Sequence, residues 1–361
     1  MKILAIESSC DETAAAVVED GRKLHSNVIV SQIDIHAMYG GVVPEVAARS
    51  HIEVINPVIN QALTDANMAW DDIDAIAVTY APGLIGSLLV GTLAVRTLAV
   101  IHNKPLYPIH HVEAHVYANF ITEQVDSLSL TLPYAQPEFP MLALIVSGGH
   151  SQLVLFRDHG DYELLGQTQD DAVGEAFDKV AKILGLSYPG GPSITKAALD
   201  GDAFKYTLPK AKLADPYNFS FSGLKTAVLR AVQHDVGVDF TFPSHELPAR
   251  VTDVQRADFA ASFQRIAIET LVDKAERAYR DYSPKSVVIA GGVAANQELR
   301  RQLSERLPLA IEYAPMQLCT DNAAMIGALA YYYAQKVDPT DPSDLEVIPS
   351  LSMTKTAWAT A

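Results

Sequence analysis

Ile3-Leu4-Ala5-Ile6, then Glu7-Ser8-Ser9-Cys10-Asp11-Glu12-Thr13, then Ala14-Ala15-Ala16-Val17-Val18 read as apolar strand, polar turn and second apolar strand. The same plan returns about 140 residues later. There Met141-Leu142-Ala143-Leu144-Ile145-Val146 leads into Ser147-Gly148-Gly149-His150 and then Ser151-Gln152-Leu153-Val154-Leu155-Phe156. Two such stretches predict a duplicated architecture with two related halves. Helix signals cover Val43 to about Ala62, Leu84 to Val100, Asp171 to Leu184, Phe259 to Arg280, Ala294 to Leu307 and Asn322 to Tyr333. Strand signals cover Asp74 to Val78 and Ser286 to Ala290. Strands alternating with helices place the chain in the α/β class.

The best linker is 122–140, broken by Pro133, Pro137 and Pro140. The expected division is an N-terminal lobe over 1–135, a C-terminal lobe over 136–335 whose last helix can pack back on the first, and a poorly ordered tail over 336–361. The apolar run Gly83–Ile101 is long enough to suggest a membrane span, but it carries Arg96 and several small polar residues. It reads instead as a buried helix, with no membrane partner.

With 361 residues and 49% hydrophobic content, the chain can build sizeable cores. Its net charge is −16, which repels phosphate backbones unless a local basic patch or a helper protein intervenes. Its 2 cysteines, Cys10 and Cys319, make no disulfide framework and fit a reducing cytoplasm. Glu7 and Asp11 arrive too early for a signal-peptide core.

His111 and His115 stand one helical turn apart, close enough to share a metal. In a zinc peptidase of the H-E-x-x-H type the Glu directly follows the first His, but here Val112 holds that place. The plain alternative is two ordinary histidines near a helix start. Asp321, before the last helix, is either a third, oxygen ligand or that helix's N-cap.

The turns Glu7–Thr13 and Ser147–Ser151 follow strands and are rich in residues that let backbone N–H groups face an anion. Gly291-Gly292-Val293-Ala294-Ala295-Asn296 is a glycine pair before a helix, a common way to admit a phosphate or ring. Asp178 is either an acceptor for sugar hydroxyls or a solvated charge, and Gly190-Gly191 could admit a ligand to the backbone. No G-x-x-x-x-G-K-[ST] is present, which excludes P-loop chemistry.

These motifs resemble one family in order. Ile6–Thr13, Tyr39–Glu45, His110–His115, Val146–His150, Gly174–Lys179, Phe219–Thr226, Gly291–Asn296 and Cys319–Asn322 are similar to the TsaD family of tRNA N6-adenosine threonylcarbamoyltransferases. The resemblance runs from residue 1 to about 335. It implies a duplicated actin-like/Hsp70-like/sugar-kinase-like (ASKHA) fold, two lobes with a central cleft. It implies transfer of the threonylcarbamoyl group from threonylcarbamoyl-AMP to N6 of the adenosine beside the anticodon, in tRNAs reading codons that begin with A, with release of AMP.

By the same resemblance, His111, His115 and Asp321 are the ligands of one divalent metal per subunit, Fe2+ or else Zn2+. Ile145, Val146, Ser147, Gly148, Gly149, Asp178, Gly191 and Asn296 are the substrate-binding positions. Some relatives carry an Asp four residues after Gly191; Thr195 stands there and is left outside the site. Asp11 and Glu12 are the candidates to take the amine proton. The implied partners are tRNA, a paralogous TsaB-type subunit, a TsaE-type ATPase and an upstream threonylcarbamoyl-AMP synthase.

A modest basic excess over 196–230 (Lys196, Lys205, Lys210, Lys212, Lys225 and Arg230) is a candidate tRNA-facing strip. The rival readings are a metal-dependent peptidase, an ATPase or kinase of the same fold, and a non-catalytic scaffold subunit. Kinases of this shape hold Mg2+ with carboxylates, which leaves the histidine pair idle.

Overall fold

The computed structural model describes residues 1–355. From the N-terminus the elements are β1 (Lys2–Glu7), β2 (Glu12–Glu19), β3 (Lys23–Ser31), α1 (Ile33–Ala37), α2 (Pro44–Asp65), β4 (Ala75–Ala81), α3 (Ile85–His102), β5 (Leu106–His110), α4 (His111–Tyr117) and β6 (Glu123–Gln124). There follow β7 (Met141–Val146), β8 (Ser151–Asp158), β9 (Asp161–Gln167), α5 (Val173–Leu184), α6 (Gly190–Ala198), α7 (Ser222–Asp235) and α8 (Asp253–Tyr282). The chain continues through β10 (Ser286–Ala290), α9 (Gln297–Arg306), β11 (Ile311–Tyr313), α10 (Met316–Cys319) and α11 (Ala323–Ala334).

One sheet is ordered β5-β4-β1-β2-β3-β6 and the other β11-β10-β7-β8-β9. With the short β6 set aside, the two orders match strand for strand. β1 pairs antiparallel with β2 and parallel with β4, and β7 pairs parallel with β10 at the equivalent place. The duplication expected from the two strand–turn–strand stretches is thus present in the topology.

Period two sorts the side chains of the first sheet. Leu4, Ile6, Ala15, Val17, Ile76 and Val78 join Ile55, Val58 and Ile59 of α2 and Val95 and Ala99 of α3 in one apolar cluster. Burying each such Leu or Ile side chain contributes roughly 1.5–3 kcal/mol. Ala5 and Val18 face α11, where a Cβ on Gly327 would stand 2.8 Å from Val18 Cγ2 and 3.3 Å from Ala5 Cβ. The glycine, with the small side chains of β2, lets α11 lie close to the sheet.

The division into units departs from the expected 1–135, 136–335 and 336–361. The first unit is Met1–Pro140 with Phe156–Glu163 and the described residues from Glu312 onward; the second is Met141–Leu155 with Leu164–Ile311. The last helix packs back as the sequence allowed: α11, apolar nearly all round, lies on β1, β2 and α4 of the first unit and takes the chain from Glu312 with it. The β8–β9 hairpin tip joins that unit because His159 stacks on Tyr332, with ring centroids 3.9 Å apart.

The tail is also a correction. Residues 336–355 are tied down rather than loose: Leu345 sits in the apolar cluster, and Thr340 N–H donates to the Leu106 carbonyl at 2.9 Å. Residues 356–361 lie outside the described residues. Helix α3 is buried on one face only. Ser87, Leu88, Gly91, Val95 and Ala99 face inward, while Ile85, Leu89, Leu93, Val100 and Ile101 are exposed. By length and composition alone it is long and apolar enough to cross a membrane.

Candidate functional site

In the first unit, β5 ends at His110 and the chain turns directly into α4, so His111 and His115 project from the same face one turn apart. Their Nε2 atoms are 3.2 Å apart. Asp321 arrives from the turn between α10 and α11. The cap of α11 is Asn322, whose side chain accepts from Met325 N–H at 3.1 Å, so the alternative capping role for Asp321 falls away. Asp321 Oδ1 lies 3.2 Å from His115 Nε2 and 3.5 Å from His111 Nε2. These three atoms are the one His/Cys/Asp/Glu group of metal-binding geometry found among the described residues. Two ligand atoms each ~2.1 Å from one ion stand about 3.0–3.4 Å apart at tetrahedral or octahedral angles. The observed spacings therefore fit a shared metal.

A second layer sets the tautomer. His111 Nδ1 lies 3.1 Å from Glu7 Oε2 and 3.1 Å from Ser9 Oγ. With Nδ1–H donating to the Glu7 carboxylate, Nε2 keeps its lone pair for the metal position. Glu7 is fully buried; it also accepts from Ser9 N–H at 2.5 Å and from the Thr79 hydroxyl. Glycines carry the surrounding close contacts. A Cβ on Gly83 would meet Ser9 O at 2.6 Å, and one on Gly91 would meet Ser8 Oγ at 2.3 Å.

The electrostatics favour a cation. Burial opposes charge on His111, yet Asp321 and Glu7 together raise its pKa to about 9, so the Nε2 position favours positive charge, a proton at neutral pH or, in its place, a metal. Burial likewise pushes Glu7 up, but the His111 charge and hydrogen bond overcome it and hold the carboxyl below its ordinary range. Glu12 is driven to about 9 by burial, then by the charges of Asp321 and Asp11. Burial, then Asp11 and Asp321, push the Cys10 thiol far up, so it is no nucleophile at neutral pH. Asp11 and Glu12 thus lie close enough to Asp321 to share one negative field.

In the second unit, the turn after β7 is closed by Ser147 N–H donating to His150 O at 2.8 Å and His150 N–H donating to Ser147 Oγ at 3.1 Å. Gly148 and Gly149 face open space, where a Cβ would meet nothing within 4 Å. Ile145 and Val146 have fully buried side chains, so only their backbone can serve a ligand. Two further glycines converge on this turn. A Cβ on Gly174 would stand 2.6 Å from Ser147 O, and Gly291, at φ +88°, would carry one 2.5 Å from Val146 O.

Asp178 Oδ1 accepts from Gly190 N–H at 2.7 Å, pinning the Gly190-Gly191 turn. Asn296 caps α9 by accepting from Leu299 N–H at 3.0 Å. Its Nδ2 donates to Gln264 Oε1 at 3.0 Å and lies 3.2 Å from Thr195 Oγ1, which itself donates to Gln264 at 2.9 Å. Thr195, left outside the site on sequence, therefore belongs to the Asn296 network. Glu7, Ser9 and Gln264 were missed. Glu7 and Ser9 stood in a quoted motif, but Gln264 sits mid-helix in α8 with no local signal.

The basic strip over 196–230 is weaker than its composition. Lys210 is paired with Glu269 and Asp273 at 2.9 and 2.8 Å, and Lys225 with Asp171 at 2.8 Å.

Comparison with known proteins gives a consistent set of relatives. The family model described as TsaD: tRNA N6-adenosine threonylcarbamoyltransferase matches residues 23–328. The chain is 52% identical over 347 residues to a tRNA N6-adenosine threonylcarbamoyltransferase of Thermomicrobium roseum, covering 93% of each chain. It is 49% identical over 354 residues to the protein of that name from Dehalococcoides mccartyi, covering 98% of this chain and 100% of that one. Among solved structures, T. kodakarensis HypF aligns with TM-score 0.60 at 14% identity, over 92% of this chain and 48% of that one. A second HypF, in a phosphate- and nucleotide-bound form, aligns with TM-score 0.55 at 13% identity, over 94% of this chain and 47% of that one. At such identities the likeness to HypF concerns the fold alone.

Proposed function

The chain belongs to the family of tRNA N6-adenosine threonylcarbamoyltransferases, and from that membership we propose how its own residues divide the work. The enzyme moves the threonylcarbamoyl group from threonylcarbamoyl-AMP to N6 of the adenosine beside the anticodon, in tRNAs reading codons that begin with A. The N6 amine attacks the carbamoyl carbonyl carbon. The bond from that carbon to the phosphate oxygen breaks, AMP departs, and the nitrogen gives up one proton.

His111, His115 and Asp321 hold one divalent metal. We favour iron, because two imidazoles and one carboxylate are a usual donor set for it; zinc would take the same donors. When bound, the metal supplies Lewis-acid stabilisation of charge on the departing phosphate. Glu7 and Ser9 hold the His111 ring in the tautomer that faces it. Of the expected stretch, Gly148 and Gly149 offer backbone N–H groups to the adenylate without a crowding Cβ, while Ile145 and Val146 in β7 and Ser147, whose N–H is given to His150 O, hold that turn in place. Asp178 and Gly191 shape the nucleoside pocket, and Asn296 orients the base or ribose. Glu12 already carries a proton at neutral pH, its carboxyl driven to about 9 by burial first, then Asp321 and Asp11. That leaves Asp11 as our candidate acceptor for the N6 proton.

The exposed apolar face of α3, with Ile52 of α2 beside it in character, is our candidate seat for a paralogous TsaB-type subunit. A TsaE-type ATPase and an upstream threonylcarbamoyl-AMP synthase complete the cytoplasmic system we propose. Lys196, Lys205 and Lys212 remain candidate phosphate contacts on an acidic chain, so partners are expected to supply much of the positive surface that tRNA needs.

The observation that carries the site assignment is the triangle of two Nε2 atoms and Asp321 Oδ1 at 3.2–3.5 Å. His111→Ala is expected to abolish threonylcarbamoyl transfer and metal retention while circular dichroism stays at the parental level. Nucleoside mass spectrometry of tRNA incubated with the metal-stripped variant decides it. Parental product formation there ends the reading.

A further inference from the structure

The metal ligands His111 and His115 sit on a helix of 7 residues. So short a helix is not stable by itself, and its position must be set by what it touches. Its N-cap is His110, whose Nδ1 accepts from Glu113 N–H at 3.4 Å. That acceptor role leaves the proton on Nε2, and Nε2 lies 3.1 Å from the Leu351 carbonyl. The cap of the metal helix is therefore itself held by the C-terminal segment.

The same segment makes further contacts along one line. Ile348 N–H donates to Tyr80 O at 3.0 Å, and Gly83 N–H donates to Pro349 O at 3.1 Å. Tyr80 and Gly83 flank the end of β4, and Gly83 is the residue whose missing Cβ admits Ser9 O. Leu84 N–H donates to Ser9 O at 2.8 Å. Farther along, the Tyr162 hydroxyl lies 2.7 Å from Met353 O and 3.2 Å from Glu113 Oε2, its single proton serving one acceptor at a time. The segment is anchored at both ends, by buried Leu345 and buried Met353.

We infer that residues 345–353 form a positioning strap for the metal centre. The strap braces the β4–α3 turn, which backs Ser9, and the β5–α4 junction, which aims His111. Ser9 and His111 are in turn 3.1 Å apart. The hydrogen bonds that tie the strap to these two turns run from backbone to backbone or from His110 to a backbone carbonyl. Its effect thus depends on the path of the chain more than on its side chains. This inference rests on the metal assignment to His111, His115 and Asp321.

The test uses full-length protein and reads metal affinity separately from fold. Ile348→Pro removes the N–H given to Tyr80; Ile348→Ala trims the same, partly exposed side chain and keeps the N–H. His110→Asn keeps a capping acceptor but is too short to reach Leu351. Zn2+ and Fe2+ dissociation constants are measured by competition with a chromophoric chelator, beside the melting temperature of the metal-free protein. Ile348→Pro and His110→Asn are expected to weaken metal binding about 10–100-fold, as loss of outer-shell support does. Their metal-free melting temperatures should stay within about 4 °C of the parent, and Ile348→Ala should bind as the parent does. Parental affinity in both weakened variants overturns the strap. So does equal loss in Ile348→Ala and Ile348→Pro, or a loss of affinity that only follows a collapse in melting temperature. A parental protein that binds neither metal would instead end the underlying metal assignment.

Discussion

Glu7→Gln is the most informative single change, because it leaves volume untouched and alters one charge beneath the metal triad. Glu7 accepts from Ser9 N–H at 2.5 Å, from the Thr79 hydroxyl, and from His111 Nδ1 at 3.1 Å. A glutamine fills the same space, so no cavity term arises. Its amide oxygen can take the place facing Ser9, but the NH2 then faces Thr79 and His111. Thr79 can turn its hydroxyl round and accept. His111 can accept only by moving its proton from Nδ1 to Nε2, the atom that must bind the metal. Removing such an outer-shell carboxylate typically costs 10–100-fold in metal affinity. At about 1.4 kcal/mol per tenfold, that is roughly 1.4–2.8 kcal/mol. Competition titration with a chelator, on protein first stripped of metal, reads the change directly. Glu7→Asp provides a second arm: the charge remains but the reach to His111 is lost, and affinity should fall there too. Parental affinity in Glu7→Gln, with an unchanged melting curve, would refute the claim that Glu7 sets the His111 tautomer.

Three further outcomes are expected. His159 is held near pKa 4 by burial first, with Asp158 raising it and Lys336 lowering it in smaller measure; unfolded, it titrates near 6.5. The unfolded chain therefore takes the proton first, and stability is intact above about pH 6.5 and lost as pH falls toward 4, by at most about 3 kcal/mol before solvent screening. Urea melts at pH 7 and 5 should show that loss in the parent and a flatter response in His159→Phe; an equal response in both refutes it. Gln264→Leu removes the acceptor shared by Asn296 and Thr195. Steady-state kinetics should show KM for threonylcarbamoyl-AMP rising about 5–30-fold, the worth of one or two hydrogen bonds, with kcat little changed; a fall in kcat alone contradicts the orienting role. Leu93→Asp places a charge in the exposed apolar face of α3. It should abolish co-purification with the paralogous subunit while the isolated chain melts as the parent does, and retained pairing refutes that seat.

Much of the fold followed from local pattern. The two strand–turn–strand stretches announced the duplication because side-chain alternation and turn residues act over a few positions. The long helices were found for the same reason, with ends less well placed: α8 was expected over Phe259–Arg280 and spans Asp253–Tyr282. The i,i+4 spacing of His111 and His115 was likewise local. Domain limits were not local. Proline content made 336–361 look like a loose tail, yet Leu345 is buried in the first unit's core. The return of the last helix to the first lobe was allowed for and α11 does lie on β1 and β2, but no window of sequence reports where a proline-rich segment finds its backbone partners.

The site divides in the same way. Spacing alone was enough to nominate the histidine pair, the glycine turns and the strand ends, since each is a property of neighbours along the chain. Asp321, Glu7 and the pairing of Gln264 with Asn296 depended on the folded backbone, because the residues concerned stand between 32 and 210 positions apart in the chain. The tautomer of His111 is decided by a carboxylate 104 residues away, and the cap of its helix by a carbonyl 241 residues beyond His110. Hydrogen bonds act over about 3 Å, and nothing in one dimension says which distant atoms will come that close.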